Sequence, residues 1–197
     1  MMPRITAITA LCALVAIAAG CASTPASRFY TLSAAGGQAA ASSNLSVVVG
    51  PVSVPAVVDR PQIVVNLGPN EVRLEEFNRW AAPLQNTIAR VVAENLVVML
   101  GTRRVVLSAQ GPGMDADYRA AIDVQTFESA PGKLAMLDAV WSVRQTKDGK
   151  AATGRTTVRE TVQDTGYDAL AAAHSRAVAR LSQDIADAVR TLDRSAP

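Results

Sequence analysis

Residues 116–163 read ADYRAAIDVQTFESAPGKLAMLDAVWSVRQTKDGKAATGRTTVRETVQ. Two turn signals, Pro131-Gly132 and Asp148-Gly149, cut this stretch into three strands over 116–128, 134–146 and 152–163. In the first, Tyr118, Ala120, Ile122 and Val124 share one face, opposite Arg119, Asp123 and Gln125. In the second, Ala135, Leu137, Ala139, Trp141 and Val143 share a face. The third is rich in Thr and Arg on one side, so that side is wet or forms a contact. Clean alternation of this kind marks an antiparallel meander with one covered face.

Helices supply the cover. Leu170, Ala177, Val178, Leu181, Ile185, Ala188, Val189 and Leu192 form a stripe with helical spacing, which predicts a helix over 168–192. Leu84, Ile88, Val91, Val92, Leu96 and Met99 form another. Pro83 opens that helix, where its fixed φ and missing N–H cost nothing, and Gly101 suits its C-terminal cap.

Upstream, 45–54 is a Val-rich strand with apolar groups on both faces, which predicts a central position. Residues 61–67 and 71–77 form a hairpin across Gly68-Pro69-Asn70, and 28–32 and 104–108 are short strands. Gln110 to Gly113 is a loop, and the Ser/Gly/Ala-rich run 33–44 is a mobile linker. The expected fold is therefore α+β: a mostly antiparallel sheet with two main helices packed on one face.

The N-terminus carries a different message. Arg4 precedes an uncharged, mostly apolar run, Ile5 to Ala19, which ends at Gly20-Cys21. That is the anatomy of a secretory signal, and a cysteine at the cut looks like a bacterial lipoprotein signal. Leader 1–20 would be removed, and Cys21 would take a diacylglycerol and an N-acyl chain. Residues 21–27 form the tether and 28–197 the single domain. About 15 apolar residues are too few to span a bilayer core, and the run's position beside Arg4 argues against a buried helix. A plain secretory cut after Ala16-Ile17-Ala18 also fits. Ala18 departs from the leucine commonest at that lipobox position.

Composition narrows the function classes. The chain has 19 basic and 17 acidic residues and 4% aromatics. No basic stripe stands out, so nucleic acid is not an expected partner. Of the two cysteines, Cys12 leaves with the leader and Cys21 carries lipid, so a disulfide framework and a cysteine metal site are both ruled out. The catalytic search is negative. His174 is the only histidine and lies on the edge of a helix stripe, as a packing or rim residue. Spacing leaves a Ser–His–Asp triad open, but there is no G-x-S-x-G elbow, Walker loop or dinucleotide fingerprint. Glu75-Glu76, Asp115 and Asp117 fit solvated surface. No enzyme, cofactor or metal is expected.

Three local features go further: Phe29-Tyr30-Thr31-Leu32, Asp59-Arg60-Pro61-Gln62, and Arg79-Trp80 leading to Pro83-Leu84. Trp80 is either a packing residue before the helix or an exposed interface anchor.

With these residues in order, the mature chain resembles the ABC-type transport auxiliary lipoproteins of the PqiC type. The resemblance runs through Cys21, F-Y-x-L at 29–32, V-x-V-G-P-V-x-V-P at 47–55, D-R-P-Q-I-V at 59–64 and R-W-x-x-P-L at 79–84. It ends with L-S-x-D-I at 181–185 in the terminal helix. It implies a non-catalytic lipoprotein on the periplasmic face of a Gram-negative outer membrane, with Ala22 after the cysteine favouring that membrane. It implies an MCE-domain (mammalian-cell-entry-type) partner with an ABC permease and ATPase, moving lipids or other hydrophobic molecules between membranes, and homo-oligomers are compatible with it. The candidate contacts are Tyr30, Asp59, Arg60, Pro61, Gln62, Arg79, Trp80, Pro83 and Leu84, or one strand face of the meander. The competing reading is a periplasmic carrier with an acyl-chain cavity between helices and sheet.

Overall fold

The structure is a computed structural model describing residues 25–108 and 115–194. The leader, Cys21, the first tether residues and the Gln110 to Gly113 loop lie outside the described residues. The elements run β1 (Arg28–Tyr30), β2 (Val47–Ser53), β3 (Gln62–Gly68), β4 (Glu71–Trp80), α1 (Leu84–Leu100), β5 (Val105–Leu107), β6 (Tyr118–Ala130), β7 (Leu134–Gln145), β8 (Ala151–Thr161) and α2 (Tyr167–Arg194).

The α+β class holds, with two helices on one face of the large sheet. The division of the strands differs from a single sheet. A five-stranded sheet has the order β5-β2-β6-β7-β8 and a three-stranded one the order β1-β4-β3. The meander β6-β7-β8 is antiparallel with long ladders, whereas β2 runs parallel to both its neighbours, β5 and β6. That central place explains why Val47, Val48 and Val49 are all buried.

Alternation decides what the helices cover. Tyr118, Ala120, Ile122, Val124, Ala135, Leu137, Ala139 and Val143 are each no more than 3% exposed. Helix α2 covers β6, β7 and β8 and α1 covers β2 and β5; Ile88, Val92 and Leu96 of α1 and Leu181, Ile185 and Val189 of α2 are all fully buried. Burial of side chains this size supplies roughly 1.5–3 kcal/mol each. A β-bulge between Val124 and Thr126 then shifts the phase. Beyond it the odd-numbered Phe127 and Ser129 turn inward, where the sequence pattern alone would leave them outside.

The linker 33–44 is not the mobile segment its composition predicts. It is strapped along α1, because a helix end leaves carbonyls unpaired. Ala40 N donates to Val98 O (3.0 Å), Ser43 Oγ to Leu100 O (2.7 Å) and Ser43 N to Gly101 O (2.9 Å). Farther along the helix, Asn95 accepts from Ala35 N (2.8 Å) and donates to Ser182 Oγ of α2 (3.1 Å). Gly101 caps α1 with a left-handed φ of 64°, and its N–H donates to Val97 O. A Cβ there would lie 2.1 Å from Ala41 O. Gly101→Ala therefore meets both a strained φ and the strap, and should lose more than about 1 kcal/mol of stability. A shift of the urea midpoint to lower denaturant would show it; an unchanged midpoint would mean the strap is not closed on the helix.

Candidate functional site

The segments singled out by sequence are far apart in the chain but meet at one corner. Strand β1 lies parallel to the end of β4, pairing Phe29 with Arg79 and Tyr30 with Trp80. Ala81 N donates to Tyr30 O (2.8 Å), and Trp80 N to Pro61 O (2.7 Å). The second bond brings the Asp59-Arg60-Pro61 turn against the same strand end. That turn is self-supporting: Val58 N and Asp59 N both donate to Pro55 O. Pro83 follows as the N-cap of α1, its carbonyl accepting from Asn86 N and Thr87 N (both 3.1 Å). Between these pieces opens a cleft of about 430 Å³, with Phe29, Asp59, Arg60, Pro61, Trp80 and Pro83 around it. Ala82 joins it to a second groove of about 580 Å³ between α1 and the Val49–Val52 segment, where the Val-Gly-Pro-Val motif lies.

The candidate residues divide into two groups. Tyr30, Trp80 and Leu84 are buried at 8%, 5% and 1%. The Tyr30 hydroxyl donates to Asn78 Oδ1 (3.1 Å). Trp80 packs its edge on Phe127 and His174, with ring centres 6.1 and 6.4 Å away, and so is a packing residue. Asp59, Arg60, Pro61 and Pro83 are exposed at the rim. Arg79 is half-buried: its Nε donates to Glu76 O (2.8 Å) and its guanidinium lies 3.6 Å from the Glu76 carboxylate. Gln62 reaches Glu76 only weakly, at 3.5 Å. Cys21 lies outside the described residues.

His174 is a core residue rather than a rim one. It is fully buried, stacked on Phe127 with ring centres 3.9 Å apart, and its Nε2 lies 2.8 Å from Ser129 Oγ. This Ser–His contact is not a nucleophile relay. Ser129 is itself 2% exposed, and His174 Nδ1 has no hydrogen-bond partner where a triad needs a carboxylate. Among the described residues, no group of three His, Cys, Asp or Glu side chains could hold a metal ion.

The opposite face of the meander was only half legible. Alternation marks it as uncovered, and the structure shows what it carries. Arg119, Asp123, Arg144, Thr153, Arg155, Thr157 and Arg159 are exposed there, with Val140 at 40%. Asp138 is the exception. Arg155 and Thr157 close over its carboxylate, and the hydrogen bond from Arg155 holds it below the usual carboxylate range. A shallow groove of about 280 Å³ runs between Pro51, Ala121, Val140 and Thr153.

The described residues form a two-layer α+β domain with a bare strand face and a motif-lined corner. Residues 30–186 match the family described as the ABC-type transport auxiliary lipoprotein component, and the chain belongs to that family. Its name ties such proteins to an ABC-type transport system. Two solved structures share the fold. One is a DUF330-family protein from Xanthomonas campestris, 21% identical, covering 85% of this chain and 99% of its own, with a TM-score of 0.64. The other is an uncharacterised protein, 19% identical, covering 84% and 99%, with a TM-score of 0.68. No curated protein sequence matches the chain. No helix of the described residues is long and apolar enough to cross a membrane.

Burial pushes the His174 imidazole down to about 3, from an ordinary value of 6.5. Below about pH 6.5 the unfolded chain binds a proton that the folded chain refuses, so stability falls as pH falls, by about 1.4 kcal/mol per pH unit. Above that pH the group contributes nothing. Between about pH 6 and about pH 4 the wild-type protein should lose about 3 kcal/mol more than His174→Gln. Parallel pH slopes in urea unfolding would show that His174 is not held neutral.

Proposed function

We propose that this protein is a non-catalytic, lipid-anchored docking subunit of an MCE-type ABC transport system. The family assignment supplies the transport context. The observation that carries the docking reading is the unequal cover of the five-stranded sheet. One face is closed by two helices, while the other keeps its arginines, threonines and the Val140 groove open. A sheet face built only to be solvated does not need an apolar groove, here set between Asp123 and Arg155 on the strands either side of Val140. Arg and apolar groups side by side are the composition of protein interfaces. The partner in this reading is the periplasmic MCE-domain protein. The acyl chains on Cys21 hold the domain on the periplasmic face of the outer membrane, and hydrophobic molecules pass along the assembled conduit.

The acyl-carrier reading has less support. The space between helices and sheet is filled by Ile88, Leu96, Leu137, Leu181 and Ile185, each fully buried, and the grooves described above lie at the surface.

Two measurements test the proposal. Co-expressed with its MCE-domain partner, Val140→Asp combined with Arg159→Glu should recover on the order of tenfold less partner from solubilised membranes, as loss of an interface hot spot does. Full recovery by that variant, with loss in Arg60→Ala or Arg79→Ala instead, would move the contact to the motif corner. Mass spectrometry of the mature N-terminus should find a triacylated Cys21. A plain end at Ala19 would remove the anchor.

A further inference from the structure

The five-stranded sheet ends on two unlike edges. On one side β5 is three residues long, Val105–Leu107. On the other, β8 runs for 11 residues, Ala151–Thr161, with no proline and an unbroken register against β7. The pairing fixes which way its backbone points. Val162 N donates to Lys133 O and Gln145 N to Lys150 O, so the even-numbered residues turn their N–H and C=O toward β7. Thr153, Arg155, Thr157 and Arg159 turn theirs away. Among the described residues no backbone or side-chain group pairs with those outer N–H and C=O groups. At the strand's end, Thr161 O accepts from Arg176 Nη2 (3.3 Å). Proteins blunt such edges with short strands, bulges, prolines or a cover, because a free ladder recruits another strand. None of these closes β8.

The side chains along the edge decide which strand fits. Thr153, Arg155, Thr157 and Arg159 are exposed on the bare face, where the side chains of an added strand would stand opposite them. Two of the four are cations and none is an acid. Arg155 is shared with Asp138, whereas Arg159 makes no ion pair within the described residues. The neighbouring acids are committed elsewhere. Glu160, on the helix side, accepts from Arg176 Nε (2.7 Å), and Asp164, past the strand's end, accepts from Gly166 N (3.0 Å). Toward the helices the edge is apolar. The Trp141 ring lies against Gly154, where a Cβ would stand 2.3 Å from it, and Val158 is half-buried. A second copy fits this edge poorly. Two β8 strands related by a two-fold axis pair odd residues with odd. Every register through the middle of the strand then sets Arg155 or Arg159 opposite or diagonal to an arginine of the other copy, and like charges so placed repel. The arginines thus bar self-pairing and leave the edge open to a strand of the other sign.

We infer that β8 is a strand-addition edge for an extended segment of a partner protein. That segment carries acidic side chains on the side of Arg155 and Arg159, and apolar ones on the side of Trp141 and Val158. Main-chain hydrogen bonds supply the affinity, and the alternation of acid and apolar groups selects the strand. The site is a backbone edge, independent of what the bare face docks.

The test titrates the full chain, isotope-labelled and held in lipid nanodiscs, with a nine-residue peptide alternating glutamate and valine. Its lysine–valine counterpart is the control. At millimolar concentration the glutamate peptide should slow hydrogen exchange several-fold at the Thr153, Arg155, Thr157 and Arg159 amides. The Thr156 and Val158 amides, already bonded to β7, should not change. The lysine peptide should bind on the order of fivefold more weakly, and Arg159→Glu should erase that preference. Thr153→Pro removes one outward N–H and leaves the β7 ladder whole. It should weaken the glutamate peptide on the order of fivefold, the worth of one backbone hydrogen bond, whereas Thr153→Ala should not. No slowing with either peptide overturns the edge. Equal slowing with both overturns the acidic strand. Binding that survives Thr153→Pro in full but is lost in Arg159→Glu is side-chain docking and overturns strand addition. Protection of the same amides without peptide, rising with protein concentration, makes the occupant a second copy and overturns the inference as well.

Discussion

The stacked pair Phe127–His174, with the edge of Trp80 against both rings, is the contact on which the rest of the molecule depends. It joins three elements that nothing else joins so closely: the far end of β6, the first turns of α2 and the last residue of β4. Edge and stacked aromatic pairs add about 0.5–1.5 kcal/mol beyond the area they bury. The imidazole makes this cluster possible only while uncharged, because a charged ring would be stranded without water or a carboxylate. The small sheet is thereby fixed on the end of the large one. Since β1 and the Asp59–Pro61 turn both hang on the Trp80 backbone, the exposed corner is fixed with it.

Much of this architecture was written in local periodicity. The meander, both helices, the Gly101 cap and the turns at Gly132 and Gly149 each rest on a pattern within a dozen residues. What was not legible depends on distant partners. The bulge at Gln125 leaves no mark in the alternation, yet it decides that Phe127 and Ser129 face inward. The separation of β1, β3 and β4 into their own sheet depends on pairings such as Tyr30 with Trp80, fifty residues apart. The linker's composition reads as loose chain because the carbonyls it satisfies belong to another element. The candidate residues converge on a single corner, which their spacing in the chain does not show. Nor does the spacing say that Trp80 and Leu84 are the corner's interior and Arg60 its surface, because burial is a property of the assembled neighbours.

Taken together, the domain has two unlike outward surfaces. One is a sheet face of alternating arginine and threonine around a shallow groove, with Asp138 sealed beneath Arg155. The other is a small corner where Phe29 stands out beside a cleft rimmed by Asp59, Arg60 and Pro61. The proposed docking role follows the chemistry of the sheet face. The helices meanwhile fill the remaining side of the sheet with a buried, mostly apolar core.

The central position of β2 also sets an order of events. Val47 pairs on one side with Val105 and on the other with Tyr118. This interior strand thus comes early in the chain, while its partners come after an intervening hairpin and a whole helix. Contacts between such distant segments carry a loop-closure cost that must be met before they return any stability. The five-stranded sheet cannot close until β6 is available to β2. Strand β2 waits for β5 and β6, while the β3–β4 hairpin and the meander, whose contacts are local, are free to form first.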